Sequence, residues 1–215
     1  MIDLILIFLG YLLGSIPFGL LVPKMYGIAD IRKHGSGNIG ATNVMRTLGV
    51  VPGLLVMAGD VGKGIAAVLA ASILGGRSLA PEIICLLTGL AAVVGHIFPI
   101  FLKFKGGKGV NTALGVMIML LPLAALCGLA SFIVTVLISR YISLGSMIAS
   151  LVFFAVVLTG YLTDFMNVPL SYLIVAAIIP VLIIGAHRSN IKRLVSGSEN
   201  RFSLRTKHKE AGSHV

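Results

Sequence analysis

The apolar stretch VNTALGVMIMLLPLAALCGLASFIVTVLIS, from Val110 to Ser139, decides how this chain is arranged. As one helix, its 30 residues would span about 45 Å, whereas the hydrocarbon core of a bilayer is about 30 Å thick. Pro122 lies inside the stretch, and proline breaks or kinks a helix. We therefore predict two short helices that meet near Pro122.

Long apolar blocks dominate the rest of the sequence. Hydrophobic residues make up 57% of the chain and charged residues 11%, against roughly 25% charged residues in a typical soluble domain. Several blocks reach the length of about 20 residues that a membrane-spanning helix needs. The pattern predicts an all-α integral membrane protein, with apolar segments at Ile2–Val22, Val51–Leu74, Leu79–Leu102, Val110–Ser139, Leu144–Leu162 and Pro169–Ala186.

The charges in the connecting segments predict how the chain is oriented. Basic residues collect on the cytoplasmic side of membrane proteins, which also accounts for the net charge of +10 without a nucleic-acid partner. All the strongly basic loops lie on one side only if the stretch at Pro122 is split into two spans. We therefore predict seven transmembrane helices, with the N-terminus outside and the C-terminus cytoplasmic. The basic, predicted cytoplasmic residues are Lys24, Arg32, Lys33, Arg46, Lys103, Lys105, Lys108, Arg140, Arg188, Lys192 and Arg193.

The two ends of the chain differ in character. The N-terminal apolar segment lacks a basic leader and an A-x-A cleavage site, so we interpret it as an uncleaved first span. Residues 1–202 are predicted to form one transmembrane domain, and residues 203–215 a polar, basic and flexible tail. No internal repeat is visible, which weakens a transporter interpretation.

The first basic loop reads IRKHGSGNIGATNVMRTLG, from Ile31 to Gly49. It contains GxGxxG, but no strand precedes it, so a dinucleotide-binding fold is excluded. Successive glycines let backbone N–H groups converge on an anion, and a helix that starts near Gly40 would favour phosphate at its N-terminus. The alternative is a flexible interfacial loop. The candidate phosphate ligands are Gly35, Ser36, Gly37, Asn38, Gly40, Ala41, Thr42, Asn43 and Arg46.

Two further segments add polar groups on the same predicted side. GHIFPIFLKFKGGKGVNT, from Gly95 to Thr112, is a second candidate anion site, although its lysines also fit the positive-inside pattern. HRSNIKRLVSGSEN, from His187 to Asn200, places His187 and Asn190 on one face of a helix that continues from the last span. The candidate residues in and around these segments are His96, Lys105, Lys108, Asn111, Ser143, His187, Asn190 and Glu199.

Two charged residues, Asp60 and Lys63, lie within the second apolar segment. Isolated charges are costly inside a membrane, so we expect them to pair. We predict that this pair supports the site and takes no direct part in catalysis.

Taken together, the three loop segments resemble the bacterial acyl-phosphate:glycerol-3-phosphate acyltransferase (PlsY) family. The matching stretches are GSGNIGATNVMRTLG at Gly35, GHIFPIFLKFKGGKGV at Gly95 and HRSNIKRLVSGSEN at His187, with further likeness in GSIPFG at Gly14 and DVGKG at Asp60. Three long motifs in the same order are more specific than any one glycine pattern. Asn111 stands where the family pattern has alanine.

The resemblance implies a seven-helix enzyme in the bacterial inner membrane, with its active site at the cytoplasmic face. It would transfer an acyl group from acyl phosphate to the 1-hydroxyl of glycerol 3-phosphate in phospholipid synthesis, releasing lysophosphatidic acid and phosphate. No cofactor or metal is expected. A soluble synthase that supplies acyl phosphate is an expected transient partner.

The roles of individual residues follow as hypotheses from the same resemblance. The part of the first basic loop from Gly35 to Asn43, called the glycine loop below, would bind the acyl phosphate. Lys108 and Asn111 would stabilise the leaving phosphate. The general base would be His187, then His96, or the phosphate of the substrate itself. Catalysis and binding of glycerol 3-phosphate would involve Ser36, Arg46, Lys105, His187 and Asn190.

Two other functions stay open at this point. An acyltransferase could instead use acyl-CoA or an acyl-carrier protein, but the HxxxxD motif of that unrelated class is absent from the sequence. An organophosphate transporter would need polar groups near the bilayer midplane, where this chain has few beyond Asp60 and Lys63.

Overall fold

A computed structural model describes residues 1–76, 78–163 and 165–202 of the chain. The described residues form α-helices and two short 3-10 turns, with no strand, which confirms the all-α prediction. The predicted flexible tail at 203–215 lies outside the described residues. The α-helices are α1 (Ile2–Gly14), α2 (Phe18–Met25), α3 (Ala41–Leu48), α4 (Val50–Leu74), α5 (Pro81–Ile97), α6 (Val110–Leu120), α7 (Pro122–Ser139), α8 (Ile142–Leu162), α9 (Leu170–Ala186) and α10 (Arg188–Val195).

The stretch from Val110 to Ser139 is divided at the predicted place. Helix α6 ends at Leu120, Leu121 takes a non-helical conformation (φ −143°, ψ 68°), and Pro122 is the first residue of α7. Proline is favoured there because the first helical N–H has no intrahelical partner to lose. With 11 residues, α6 is about 16 Å long, well short of a bilayer core of about 30 Å.

The first apolar segment is also broken, which the sequence analysis did not predict. Helices α1 and α2 meet at an angle of 41°, and Pro17 caps the second of them. Ser15 donates a hydrogen bond through Oγ to the Tyr11 carbonyl at 2.8 Å as the first helix ends. The break leaves the backbone carbonyl of Ile16 free to accept a hydrogen bond from Lys63 of α4.

The candidate membrane spans are the helices that are both long enough and apolar enough to cross a bilayer. Helices α4, α7 and α8, together with α5 extended to Leu102, are each long and apolar enough to cross alone. The bent pairs α1–α2 and α9–α10 raise the number among the described residues to six. A seventh crossing would require the short helix α6, so the predicted count of seven and the predicted orientation stay predictions. The exposed side chains on α7, such as Leu137 and Ile138, suit a lipid environment.

Glycine lets several helices approach closely. The backbone of Ala92 in α5 lies where a side chain on Gly14 of α1 would stand. Gly64 of α4 likewise meets the carbonyl of Thr112 in α6, and Gly115 of α6 meets that of Val61 in α4. Small residues at helix crossings are typical of membrane proteins, where backbones pack directly on each other.

The contacts between helices divide the α-helical part of the molecule into two packed groups. One group contains α1, α4, α5 and α6, and the other contains α7, α8 and α9. The groups join where α6 leads into α7 and where α5 meets α9. The three polar loop segments gather between the groups at one end of the molecule, around a shared cavity.

Candidate active site

Asn43 holds the glycine loop in shape from within. It lies on α3, is 2% exposed, and accepts a hydrogen bond from the Ser36 N–H through Oδ1 at 2.7 Å. Its Nδ2 donates to the carbonyls of Asn38 at 2.8 Å and His34 at 3.0 Å. Gly35 has a left-handed φ of 58°, and a side chain there would collide with Oδ1 of Asn43. The loop therefore depends on both glycine and asparagine for its conformation.

The free backbone donors of this loop lie at the start of α3. The N–H of Gly40 is already used, because it donates to Oδ1 of Asn38 at 2.8 Å. Helix α3 begins at Ala41, and the first N–H groups of a helix have no intrahelical acceptor. The N–H groups of Ala41 and Thr42 therefore have no acceptor within the helix, and both residues line the cavity, so the start of α3 favours an anion there.

The second loop folds back on the end of α5. The N–H groups of Gly106 and Gly107 donate to the carbonyls of Ile97 and His96, each at 3.1 Å. The next residue, Lys108, lines the cavity. Burial lowers the pKa of the Lys108 amine to about 8, although the nearby Glu199 carboxylate opposes that shift. Such an ammonium group is held ready for an anionic partner, which would restore its full charge.

Glu199 ties the third segment to the rest of the site. Its Oε1 accepts hydrogen bonds from Ser143 Oγ at 2.8 Å and Asn190 Nδ2 at 2.7 Å, and its Oε2 accepts one from Arg193 Nε at 2.7 Å. Burial would raise the pKa of this carboxyl, but the three hydrogen bonds outweigh burial and hold the pKa below its usual value. Glu199 therefore joins α8, α10 and the segment after α10 in its ionised form.

His187 sits at a sharp bend between the last two helices. Helices α9 and α10 meet at 60°, so the last span does not continue straight through His187 as the sequence analysis expected. The imidazole is 1% exposed, and its Nδ1 lies 2.8 Å from the Ile183 carbonyl. A carbonyl can only accept, so Nδ1 carries a proton, and in the neutral ring Nε2 then has a lone pair. That nitrogen has the electronic state of a general base.

One cavity of about 360 Å³ joins these elements. Its loop end is polar and basic, with groups from all three segments. The remainder runs between α6, α7 and α8 and is lined mainly by small or apolar side chains. The polar lining residues include Ser36, Asn38, Thr42, Asn43, Arg46, Asp60, His96, Lys108, Asn111, Ser143, His187, Asn190, Arg193 and Glu199. The small and apolar ones include Ala113, Met117, Ala125, Gly128, Leu129, Phe132, Val136, Ser146, Ala149, Ser150 and Phe153.

Four candidates from the sequence do not line this cavity. Gly35 and Gly37 shape the glycine loop through their left-handed φ angles of 58° and 73°. Lys63 is buried below the site and pairs with Asp60 at 3.0 Å, as predicted. Lys105 is exposed on the second loop. The roles assigned to Lys105 and to the other site residues remain predictions.

Some parts of the site were not among the predicted site residues. Arg193, which is spaced three residues from Asn190 in the sequence, forms an ion pair with Glu199 and lines the cavity. Thr112, fully buried on α6, lies 3.1 Å from His96. The apolar wall on α7 and α8 had no signal, because its residues are ordinary in a membrane helix.

Metal ligands are not grouped in the described ranges. Among residues 1–76, 78–163 and 165–202, no three His, Cys, Asp or Glu side chains are placed to hold a metal ion. The polar end of the cavity instead combines basic side chains and backbone N–H groups, which are groups that bind phosphate.

The family model described as glycerol-3-phosphate acyltransferase matches residues 4–197. The chain belongs to the glycerol-3-phosphate acyltransferase (PlsY) family. The predicted family and the predicted enzyme class, a membrane acyltransferase, are confirmed. The match covers the first two loop segments, the third as far as Gly197, and the helices between them.

Curated relatives in this family cover nearly the whole chain. A glycerol-3-phosphate acyltransferase of Trichlorobacter lovleyi is 49% identical over 89% of this chain and 93% of its own. Glycerol-3-phosphate acyltransferase 2 of Bacillus anthracis is 44% identical over 93% of this chain and 99% of its own. The similarity therefore extends over nearly the full length of these relatives.

Two solved structures share the fold. A crystal structure of PlsY, an integral membrane glycerol 3-phosphate acyltransferase, in its glycerol 3-phosphate form has a TM-score of 0.83 and 42% identity, covering 94% of this chain and 96% of that one. A lysophosphatidic acid form has a TM-score of 0.81 and 40% identity, covering 95% and 97%. The fold is thus that of an integral membrane protein with several spans.

Proposed function

We propose that this chain transfers a fatty acyl group from acyl phosphate to the 1-hydroxyl of sn-glycerol 3-phosphate. The products would be lysophosphatidic acid and inorganic phosphate, formed in phospholipid synthesis. The observation that carries the proposal is a single cavity with phosphate-binding groups at one end and an apolar extension between helices at the other. The glycerol 3-phosphate and lysophosphatidic acid forms of the solved PlsY relative support a substrate and product of this kind.

The polar end offers two neighbouring places for phosphate. We assign the acyl phosphate to the glycine loop and the start of α3, where the N–H groups of Ala41 and Thr42 are free of helical acceptors. Lys108 and Asn111, on the facing loop and the first turn of α6, would take up charge on the departing phosphate. The groups assigned to glycerol 3-phosphate are Ser36, Arg46, Lys105, His187 and Asn190.

The chemistry then needs only direct transfer. The 1-hydroxyl oxygen attacks the acyl carbonyl carbon, a new C–O ester bond forms, and the bond between that carbon and the phosphate oxygen breaks with its electrons leaving on phosphate. The hydroxyl proton passes to Nε2 of His187, whose other nitrogen is held by the Ile183 carbonyl, or to the departing phosphate. Lys108 would stabilise the developing charge, and alignment of the two substrates supplies much of the rate enhancement.

The acyl chain would occupy the apolar part of the cavity. Along α8, cavity-lining residues run from Ser143 to Phe153, a rise of about 15 Å at 1.5 Å per residue. The facing wall on α7 runs from Val136 down to Ala125 and includes Gly128. The small residues of these walls, such as Gly128 and Ala149, leave room for a chain to lie between the helices, with its carboxyl end at the phosphate loops.

The placement in the cell follows from the same proposal. Residues 1–202 would form the transmembrane domain of a seven-span bacterial inner-membrane enzyme, with the N-terminus outside, the C-terminus and active site cytoplasmic, and 203–215 a flexible tail. A cytoplasmic mouth lets water-soluble glycerol 3-phosphate enter from the cytosol. It also allows transient contact with a soluble synthase that delivers acyl phosphate. Accessibility of single cysteines to a membrane-impermeant thiol reagent would test this orientation.

The donor is tested with purified protein. Glycerol 3-phosphate is supplied with either palmitoyl phosphate or palmitoyl-CoA, and lysophosphatidic acid and phosphate are measured. We expect product from palmitoyl phosphate alone, with Arg46→Ala as the impaired comparison. Product from palmitoyl-CoA alone would overturn the donor, and no product from either would favour transport of an organophosphate.

A further inference from the structure

Four polar side chains form a buried cluster beneath the phosphate loops. They are Asp60 and Lys63 on α4, His96 on α5 and Thr112 on α6, and each is at most 6% exposed. Lys63 Nζ lies 3.0 Å and His96 Nδ1 3.4 Å from Oδ1 of Asp60. Thr112 Oγ1 lies 3.1 Å from the same His96 nitrogen. Burying charges between membrane helices is costly, so such a cluster is a functional candidate.

The cluster supports the second loop directly. Gly107 lies so close to the His96 ring that a side chain on the glycine would collide with Nε2. The Gly107 N–H also donates to the His96 carbonyl at 3.1 Å. Thr112 belongs to the first turn of α6, just after the loop. The backbone on both sides of Lys108 is therefore set by His96 and Thr112.

The same cluster reaches the first loop through the break between α1 and α2. Lys63 Nζ donates to the Ile16 carbonyl at 2.9 Å, and lies 5.9 Å from the centre of the Phe18 ring. One residue further, Gly19 packs against the Ile39 carbonyl in the glycine loop, with no space for a side chain. Movement of Lys63 would thus be passed through α2 to the residue before Gly40.

We propose that Asp60, Lys63, His96 and Thr112 act together as a positioning device that fixes the separation of the two phosphate-binding loops. The inference rests on the proposed function in one respect, that the loops hold the two phosphate-bearing substrates. Asp60 is the common partner, because one of its oxygens faces both Lys63 and His96. Loosening the cluster would shift the loops and so change how the substrates are aligned, although the residues that touch the substrates would keep their chemical identity.

The sharpest test uses Thr112, which is fully buried and outside the groups assigned to substrate. Thr112→Val keeps the shape of the side chain and removes the hydroxyl, whereas Thr112→Ser keeps the hydroxyl. We expect Thr112→Val to lower kcat by about tenfold or more, since small displacements of positioned groups have effects of this size. Thr112→Ser should stay within about threefold of wild type. Thr88→Val, at a buried threonine of α5 outside the cluster, is the matched control and should leave kcat unchanged.

A second pair of variants follows the path to Asp60. His96→Asn retains a polar group near the position of Nδ1, and His96→Leu does not. We therefore expect His96→Asn to keep part of the wild-type activity and His96→Leu to lose nearly all of it. Combining Thr112→Val with His96→Leu should cost little more than His96→Leu alone, because both break one chain of contacts. If the losses of activity in Thr112→Val and His96→Leu add up in the double variant, the inference that the two residues act together is wrong.

A binding measurement separates this inference from the proposed reaction. Glycerol 3-phosphate binding to detergent-purified protein is measured by calorimetry, with thermal unfolding followed in parallel. We expect weaker binding in Thr112→Val and near-normal binding in Thr112→Ser, whichever acyl donor the wild type uses. Folded Thr112→Val protein with wild-type affinity and kcat would overturn the inference, as would a loss of stability with unchanged kinetics. Failure of wild type to use palmitoyl phosphate would instead overturn the proposed donor.

Discussion

Gly128 gives the sharpest prediction about acyl-chain selection. It lies on α7, deep in the apolar part of the cavity and opposite Ala149 and Phe153 of α8. A Cβ added at Gly128 would stand 3.1 Å from the Ala149 carbonyl oxygen and 3.5 Å from Cβ of Phe153. The backbone can accommodate that atom with a small shift, and the rest of a larger side chain would fill space assigned to the end of the acyl chain.

The loss of kcat/KM for long substrates depends on how many methylene groups of the acyl chain the new side chain displaces from the cavity. Each buried CH₂ contributes about 0.8 kcal/mol, so a side chain that displaces two of them would cost long substrates about 1.6 kcal/mol, or roughly fifteenfold in kcat/KM. A shorter chain that ends before Gly128 would lose little. Gly128→Leu should therefore shift preference from palmitoyl phosphate toward lauroyl phosphate.

The assay compares kcat/KM for the two acyl phosphates in wild type, Gly128→Leu and Ala130→Leu. Ala130 is exposed on the same helix and does not line the cavity, so its variant controls for bulk on α7. The reasoning is refuted if folded Gly128→Leu keeps the wild-type ratio, or if Ala130→Leu shifts the ratio equally.

Three further predictions concern the polar end. Glu199→Gln leaves one acceptor oxygen where Ser143, Asn190 and Arg193 now donate to two, so at least one donor would face the amide NH2, and the change should destabilise the protein by about 1–2 kcal/mol, after allowance for the partly exposed arginine; a thermal melt in detergent checks this, and an unchanged Tm would contradict it. Because the pKa of Lys108 is about 8, the free protein loses this ammonium as pH rises through that value. The kcat/KM for palmitoyl phosphate, whose departing phosphate is assigned to Lys108, should therefore fall between about pH 7 and about 9.5, and stay flat in Lys108→Arg, whose side chain keeps its charge; a flat wild-type pH profile of kcat/KM would rule out this role. His187→Ala should lower kcat by about 10²-fold or more if the imidazole is the base, and near-wild-type turnover would assign the proton to phosphate.

The sequence contained enough information to predict the helical class, the break near Pro122 and the meeting of three loops. Proline and helix length give the break directly. The gathering of the loops follows from charge, because basic segments of a membrane protein share one side. The pairing of Asp60 with Lys63 followed from the cost of isolated charge inside a membrane.

Other features depend on packing that no local pattern encodes. Asn43 and Asn38 look like ligand donors in the sequence, but they spend hydrogen-bonding groups on the loop itself. The break before Phe18 leaves the Ile16 carbonyl available to Lys63, which lies 47 residues further along the chain than Ile16. The apolar wall of the cavity on α7 and α8 forms only when these helices face α6, and small apolar residues are common throughout the sequence, so they give no local signal.

Direct transfer between two substrates held in one cavity is the central claim, and phosphate release without acceptor tests it most directly. Purified protein is mixed rapidly with palmitoyl phosphate, and phosphate is measured over the first turnover with and without glycerol 3-phosphate. Direct transfer predicts release only when glycerol 3-phosphate is present, in step with lysophosphatidic acid. A burst of phosphate equal to the enzyme concentration without glycerol 3-phosphate would reveal a covalent acyl-enzyme and contradict the account.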